Sequence, residues 1–145
     1  MKKPQRTLEK PWQLYIDGAS MGNPGPAGVG LVLEDGRGEV LTQVGRFIGE
    51  ATNNEAEYLA LIMGLEEAII NGPPQEGLVA KSDSQLLVKQ LAGEYRIKDK
   101  KLKPLYQWAK RLASALENFK LEFIPRGENK KADKLALMAI DEATW

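Results

Sequence analysis

A long helical pattern lies between two strand patterns, and this order restricts the possible folds more than any other feature of the chain. The helix begins at a capping box, Thr52-Asn53-Asn54-Glu55, and its apolar run ends at Asn71-Gly72-Pro73. Alternating strand patterns cover residues 12–17 before it and 78–82 after it. Because a strand reached through a crossover helix usually lies parallel to its partner, the sequence predicts an α/β sheet with a parallel portion.

The other segments complete a five-stranded mixed sheet flanked by about four helices. Asp17 is predicted to end the first strand, and residues 18–28, which hold four glycines and two prolines, are predicted to be a loop. Residues 29–33 and 39–48 form strands around a hairpin turn, so the first three strands are antiparallel. The remaining predicted elements are a short helix at 84–91, a helix from 104 to about 118, a strand at 119–124 and a last helix from 129 to about 143.

Length and composition limit the class of protein. The 145 residues suit one domain, which we place at residues 12–145 after a loose, Lys-rich tail at 1–11. No apolar run is long enough for a membrane span, and there is no signal-like apolar segment at the N-terminus, so we expect a cytoplasmic protein. The chain has 20 basic and 20 acidic residues, so its net charge neither favours nor disfavours a polyanionic partner.

The absence of two residue types limits the chemistry. The chain contains no Cys and no His. Disulfides, thiol chemistry and imidazole catalysis are therefore excluded. Any catalysis near neutral pH must use carboxylates, metal-bound water, Lys, Tyr or Ser.

Four acidic residues from separate segments are predicted to form a metal site. Asp17 and Asp83 follow two strands that we expect to be parallel, so their carboxylates should emerge at the same edge of the sheet. Glu57 and Asp133 lie on the apolar faces of two predicted helices, where an unpaired charge is costly. A shared Mg²⁺ or Mn²⁺ ion would stabilise all four carboxylates.

Each of these acids also has a purely structural interpretation. Asp17 could begin an Asp-Gly turn, and Asp83 could be a helix N-cap. Glu57 and Asp133 could lie at the edge of an apolar stripe and turn to solvent. The neighbouring Glu55 competes with Glu57 as a ligand, but its position in the capping box favours a structural role.

Polar and basic residues near these acids suggest a nucleic-acid surface. Asn23, Asn53, Asn54, Ser84 and Gln85 can hydrogen-bond sugars and base edges, or serve only in turns and caps. The densest basic stretch runs over residues 95–103 and is either a solvated loop or a phosphate-binding surface. Trp108 is predicted to lie in the core rather than to stack on a base.

Four motifs follow one another along the chain at matched spacing: Tyr15-Ile16-Asp17-Gly18-Ala19-Ser20, Thr52 to Glu57, Ser82 to Gln85 and Asn129 to Asp133. With these motifs the chain resembles type 1 ribonuclease H over residues 12–142. The resemblance implies the ribonuclease H-like fold and hydrolysis of the RNA strand of RNA/DNA hybrids, giving 5′-phosphate and 3′-hydroxyl ends. It implies two Mg²⁺ or Mn²⁺ ions, with Asp17 bridging them, Glu57 and Asp83 on one ion, and Asp133 on the other.

The same resemblance implies the substrate contacts and the assembly. Asn23, Asn53 and Gln85 match family positions at the minor groove and 2′-hydroxyls of the hybrid, and Gly18, Asn54 and Ser84 are predicted to join them. The partner is the RNA/DNA hybrid alone, bound by a monomer that needs no other protein.

The chain departs from many bacterial members in two places. It lacks the catalytic-loop His, and its Pro125-Arg126-Gly127-Glu128 loop resembles an archaeal-like subset in which an Arg occupies that region, so Arg126 is predicted to be catalytic. It also lacks the Trp-rich basic protrusion, which only the 95–103 stretch could replace.

Two alternative functions are considered for this sequence. A proofreading exonuclease of the same superfold would carry Asp-x-Glu on the first strand, whereas Ala19 stands at the third position here. A non-catalytic module that binds RNA/DNA hybrids on the same fold is the alternative from a different class, and four intact acids argue against it.

Overall fold

The computed structural model describes residues 10–72 and 74–144, so all but Lys10 and Pro11 of the predicted tail lies outside the described residues. The described part forms one five-stranded sheet in the order β3-β2-β1-β4-β5 with four α-helices. The elements in chain order are β1 (Trp12–Ser20), β2 (Gly25–Glu34), β3 (Val40–Ala51), α1 (Asn53–Ile70), β4 (Leu78–Ser82), α2 (Gln85–Leu91), α3 (Leu102–Ser114), β5 (Phe119–Phe123), a 3₁₀ turn (Arg126–Glu128) and α4 (Lys130–Ala143).

The central strand β1 has neighbours of opposite direction on its two sides. It pairs antiparallel with β2, where Asp17 lies opposite Gly30, and parallel with β4, where the ladder ends at Tyr15 and Lys81. The pair β4 and β5 is also parallel. The predicted mixed sheet, three antiparallel strands followed by a parallel portion, is confirmed.

The predicted loop at residues 18–28 is wrong for most of its length. β1 continues through Asp17 to Ser20, and β2 begins at Gly25, so the two strands form a long hairpin with a tight connection. Antiparallel pairing of Gly18 with Val29 and of Ser20 with Ala27 supplies the backbone partners that overcome the low strand preference of glycine. Asp17 therefore lies within a strand and not at its end.

Two other boundaries differ from the prediction. β3 runs on to Ala51 because it stays paired with the extended β2. α3 begins at Leu102, two residues before Pro104, and ends at Ser114. The chain then turns before β5, and Asn118 adopts a positive φ of 53° there.

Helix α1 is fixed by its capping box and by its buried face. The hydroxyl oxygen of Thr52 accepts from the N–H of Glu55, and the Glu55 carboxylate accepts from the N–H of Thr52, as predicted. Its apolar residues pack with β1, β2 and α3 in one core cluster that includes Leu14, Ile16 and Leu61. The N-terminal end of α1 is thereby placed beside β1.

Helix α4 packs on the opposite face of the sheet. On β2 the side chains of Val29, Leu31 and Leu33 join the core beneath α1, so the intervening Gly30 faces the other way, toward α4. A Cβ atom at Gly30 would lie 2.0 Å from the carbonyl oxygen of Ala132. The missing side chain therefore lets the α4 backbone approach the sheet directly.

We expect Gly30→Ala to lower the free energy of unfolding by at least about 2 kcal/mol, because its methyl group would overlap the α4 backbone rather than a flexible side chain. Urea unfolding would measure the change. Gly127→Ala is the control, since a Cβ there meets nothing within 4 Å, and its effect should stay within about 0.5 kcal/mol. Equal stability of the two variants would contradict the close approach of α4.

Candidate active site

Three of the four predicted acids meet where β1 and β4 separate. Asp17 and Asp83 each lie two residues beyond the last paired residues of that parallel ladder, Tyr15 and Lys81. Glu57 comes from the N-terminal part of α1. One carboxylate oxygen from each of Asp17, Glu57 and Asp83 lies within 4.8 Å of the others. The predicted convergence of these three side chains is confirmed, and the Asp17 side chain, only 5% exposed, does not form a surface Asp-Gly turn.

A backbone bond from β1 fixes Glu57. The N–H of Gly18 donates to Oε1 of Glu57 at 2.6 Å. A Cβ atom at Gly18 would lie 2.2 Å from the carbonyl carbon of Ala56, so only glycine allows this approach of α1 to β1. Oε2 of Glu57 has no hydrogen bond within the described residues and remains free to coordinate a cation.

Asp133 completes the acidic cluster from the other face of the sheet. It lies in the first turn of α4, close enough to Asp17 to contribute to the raised pKa of that carboxyl. The exposed Arg126, in the 3₁₀ turn before α4, is close enough to Glu57 for its charge to lower the Glu57 pKa. All four predicted acids and Arg126 therefore lie near the place where β1 and β4 separate, which we call the acidic crevice.

The carboxylates are held in an unfavourable electrostatic environment. Burial, followed by the charge of Glu57, raises the pKa of Asp17 to about 9. Burial also raises the pKa of Glu57 to about 8, although the Gly18 N–H and Arg126 act in the opposite direction. Two unit charges at most 4.8 Å apart repel by about 3 kcal/mol or more at an effective dielectric near 20. The cluster therefore needs protons or a cation.

The donor set fits a hard divalent cation. It consists of carboxylate oxygens that are close together, partly buried and, at Asp17 and Glu57, difficult to ionise without added positive charge. Oxygen ligands of this kind suit Mg²⁺ and Mn²⁺ and do not suit soft metals.

Two asparagines beside the cluster are oriented by backbone contacts. Oδ1 of Asn53 accepts from the N–H of Ser20 at 3.0 Å, and Oδ1 of Asn23 accepts from the N–H of Asn53 at 3.1 Å. Both side chains are exposed, and because their oxygens are engaged, they present their NH₂ groups as donors. Asn54 is exposed on the same first turn of α1.

The start of α2 leaves Asp83 free. The N-cap is Ser84, whose hydroxyl oxygen accepts from the N–H of Leu87 at 3.2 Å, so the alternative of Asp83 as N-cap is wrong. The buried hydroxyl of Ser82 accepts from the N–H of Ser84 at 3.0 Å, a contact that no pattern in the sequence indicates. Gln85 follows as the exposed first residue of α2.

The prediction that Trp108 lies in the core is wrong. Its side chain is 44% exposed, whereas Leu102 and Ala109 of the same helix are buried. Consecutive helical residues are separated by about 100°, so a core position at Ala109 turns Trp108 toward solvent. The basic residues of the 95–103 stretch are exposed too.

Asn129 lies where the sequence predicts the last helix to begin. It does occupy the N-cap position of α4, but its side chain makes no capping bond. Nδ2 instead donates to the carbonyl oxygen of Ile16 at 2.8 Å, between positions 113 residues apart. No local sequence signal could have indicated a partner so distant in the chain.

Comparison with known proteins agrees with the fold and the motifs. The family model described as reverse transcriptase-like matches residues 15–139. Ribonuclease HI of Halobacterium salinarum is 43% identical over 129 residues, which cover 89% of this chain but only 64% of that relative.

Two solved structures are similar along nearly their whole length. The crystal structure of RNase H1 from Halobacterium salinarum has a TM-score of 0.86 and 42% identity, with 90% of this chain and 98% of that chain covered. The structure of LC11-RNase H1 in complex with an RNA/DNA hybrid has a TM-score of 0.88 and 37% identity, covering 92% and 99%.

The first matched residue lies in β1 and the last in α4, so the match includes every strand and helix that contributes an acid to the crevice. Together with the near-complete coverage of two solved type 1 enzymes, it establishes that this chain belongs to the type 1 ribonuclease H family.

Proposed function

We propose that this protein is a metal-dependent endonuclease that hydrolyses the RNA strand of RNA/DNA hybrids and leaves 5′-phosphate and 3′-hydroxyl ends. The observation that carries the proposal is the convergence of carboxylate oxygens of Asp17, Glu57 and Asp83 within 4.8 Å of one another. The similarity to ribonuclease HI and to an RNase H1 bound to a hybrid supports the choice of substrate.

The four carboxylates would hold two divalent cations. Glu57 and Asp83 would bind one ion, Asp133 the other, and Asp17 both. When bound, such ions neutralise the charge of a scissile phosphate and activate water for its attack. The Gly18 N–H keeps one oxygen of Glu57 in place, so the side chain does not have to reorganise when a cation binds.

Recognition of the hybrid would come from the residues around the crevice. The NH₂ groups of Asn23 and Asn53, whose oxygens already accept backbone hydrogen bonds, would donate to acceptors in the minor groove, where the 2′-hydroxyl distinguishes RNA from DNA. Gly18, Asn54, Ser84 and Gln85 would line the same surface. Arg126 is the exposed cation beside Glu57 and would contact a phosphate oxygen near the site of cleavage.

The 95–103 stretch would add nonspecific affinity for phosphates. Within the described residues, no helix combines the length and apolar character needed to cross a bilayer. The cytoplasmic location, the monomeric state and the choice between Mg²⁺ and Mn²⁺ stay predictions.

We expect the protein to cut only the RNA strand of a labelled hybrid, in Mg²⁺ or Mn²⁺ and not in EDTA, with RNA/RNA and DNA/DNA duplexes left intact. Asp83→Asn should lower turnover at least ~100-fold while keeping the fold and hybrid binding, because it removes the negative charge of a cation ligand with almost no change in side-chain size. Gel analysis of products and circular dichroism would measure these effects. Binding without cutting in either metal would favour the non-catalytic module.

Two glutamates of α1, Glu55 and Glu57, provide a matched pair of variants. We expect Glu57→Gln to lower turnover at least ~100-fold, because Glu57 faces the cluster. Glu55→Gln should change turnover by less than about 3-fold, because glutamine can replace glutamate in a capping box. Steady-state rates on the hybrid would compare the variants. A large loss in Glu55→Gln with unchanged Glu57→Gln would reverse the assignment of the two residues.

The stability of the metal-free protein should fall as the pH rises. Folding raises the pKa of Asp17 from 3.8 to about 9 and that of Glu57 from 4.5 to about 8. The stability from these groups is fully present below the unfolded values and is lost as the pH rises through the folded values. The slope for each carboxyl approaches at most about 1.4 kcal/mol per pH unit.

Urea unfolding in EDTA between about pH 5.5 and about pH 8.5 would measure that slope. Asp17→Asn should flatten it, because the asparagine cannot ionise, and added Mg²⁺ should flatten it in the wild type. Asp141→Asn, an exposed site near the end of α4, is the control and should keep the wild-type slope. Equal slopes in wild type and Asp17→Asn would contradict the raised Asp17 pKa.

A further inference from the structure

A single buried side chain connects the segments that carry Asp17 and Asp133. Asn129 is 1% exposed, and its Nδ2 donates to the carbonyl oxygen of Ile16, the residue just before Asp17. The carbonyl oxygen of Asn129 accepts from the N–H of Asp133 at 3.1 Å. Two hydrogen bonds through one residue therefore run from the backbone beside one carboxylate to the backbone of the other.

The hydrogen bond from Asn129 to Ile16 lies where β1 has lost its pairing with β4. The parallel ladder between β1 and β4 ends at Tyr15 and Lys81, so Asp17 extends into the crevice without β4 beside it. The Asn129 amide reaches β1 at Ile16, the first residue past that ladder. It thus supports β1 just after its pairing with β4 has stopped.

The conformation of Asn129 indicates that this link is more than helix capping. Asparagine at an N-cap usually accepts from the N–H groups of the first turn, whereas Asn129 makes no such bond. Its Oδ1 is buried and accepts no hydrogen bond from the described residues. The position therefore uses the amide as a donor toward β1. An ionised aspartate has no proton to donate, and a serine hydroxyl is too short to reach Ile16.

We propose that Asn129 is a positioning residue that holds Asp133 against Asp17 and so sets the affinity and geometry of the cation site. The proposal rests on the proposed function for its catalytic consequence, but not for its effect on cation binding. Asn129 touches neither cation nor substrate in this role; it acts through the backbones of Ile16 and Asp133.

Asn129→Ser separates positioning from stability. A serine hydroxyl can cap α4, which compensates for lost stability, but it is too short to reach Ile16. We expect Asn129→Ser to bind Mg²⁺ 10–100-fold more weakly in titration calorimetry, as is typical when a group that orients metal ligands is removed. Turnover should fall by a similar factor, with the KM for the hybrid changed less than about 2-fold. Asn129→Ala should show the same losses together with a lower melting temperature.

Asn71→Ala is the matched control. Asn71 also donates through Nδ2 to a backbone carbonyl, that of Glu67 at 2.8 Å, but at the far end of α1. Loss of the Asn71 side-chain hydrogen bond should leave Mg²⁺ affinity and turnover unchanged. Wild-type Mg²⁺ affinity and turnover in Asn129→Ser would overturn the proposal and assign Asn129 to stability alone.

An Asp133→Asn background tests whether Asn129 acts through Asp133. There, Asn129→Ser should cost less than about 2-fold in Mg²⁺ affinity, because the ligand that it positions is already lost. A full additional loss would contradict the positioning role. If the wild type binds Mg²⁺ but cleaves no hybrid, the proposed function fails while these calorimetric results still decide the role of Asn129.

Discussion

The close approach of two helix backbones to the centre of the sheet is the constraint on which the acidic crevice depends. A side chain at Gly18 would overlap α1, and a side chain at Gly30 would overlap α4. Since the two helices pack on opposite faces, both contacts are needed for Glu57 and Asp133 to reach Asp17 from two directions. The strand hairpin that holds these glycines is therefore part of the site and does not merely connect to it.

The packed core and the helix caps stabilise the fold, whereas the carboxylates at the centre of the acidic crevice destabilise it. The core beneath α1 and the capping box of α1 stabilise the strands and helices that carry these carboxylates, and the fixed positions keep the carboxylates close enough to repel one another. Protons relieve this repulsion at low pH, and a divalent cation would relieve it near neutral pH. Function and stability are thus linked through one set of charges, and the ligand that would complete the site would also stabilise the fold.

At the starts of three helices, residues that cap the helix lie next to residues of the acidic cluster. At α1 the capping is done by Thr52 and Glu55, which leaves Glu57 for the cluster. At α2 it is done by Ser84, which leaves Asp83 for the cluster. At α4 the side chain of the N-cap residue Asn129 makes no capping bond and instead donates a hydrogen bond to Ile16 of β1. The capping at α1 was predicted because a capping box is a local pattern. At α2 the sequence also allowed Asp83 as the N-cap, and at α4 the partner of Asn129 is 113 residues away in the chain.

The sequence alone determined the order of elements and the mixed sheet, and it predicted the convergence of Asp17, Glu57 and Asp83, because periodicity, capping and motif spacing are properties of short segments. It misplaced residues 18–28 and Trp108, where pairing with β2 and the rotation of α3 outweighed glycine content and hydrophobicity. Only the tertiary structure decided which atoms meet: the Gly18 bond to Glu57, the link from Asn129 to Ile16, and the raised pKa values of Asp17 and Glu57. These depend on distances between segments far apart in the chain, and no local pattern encodes such distances.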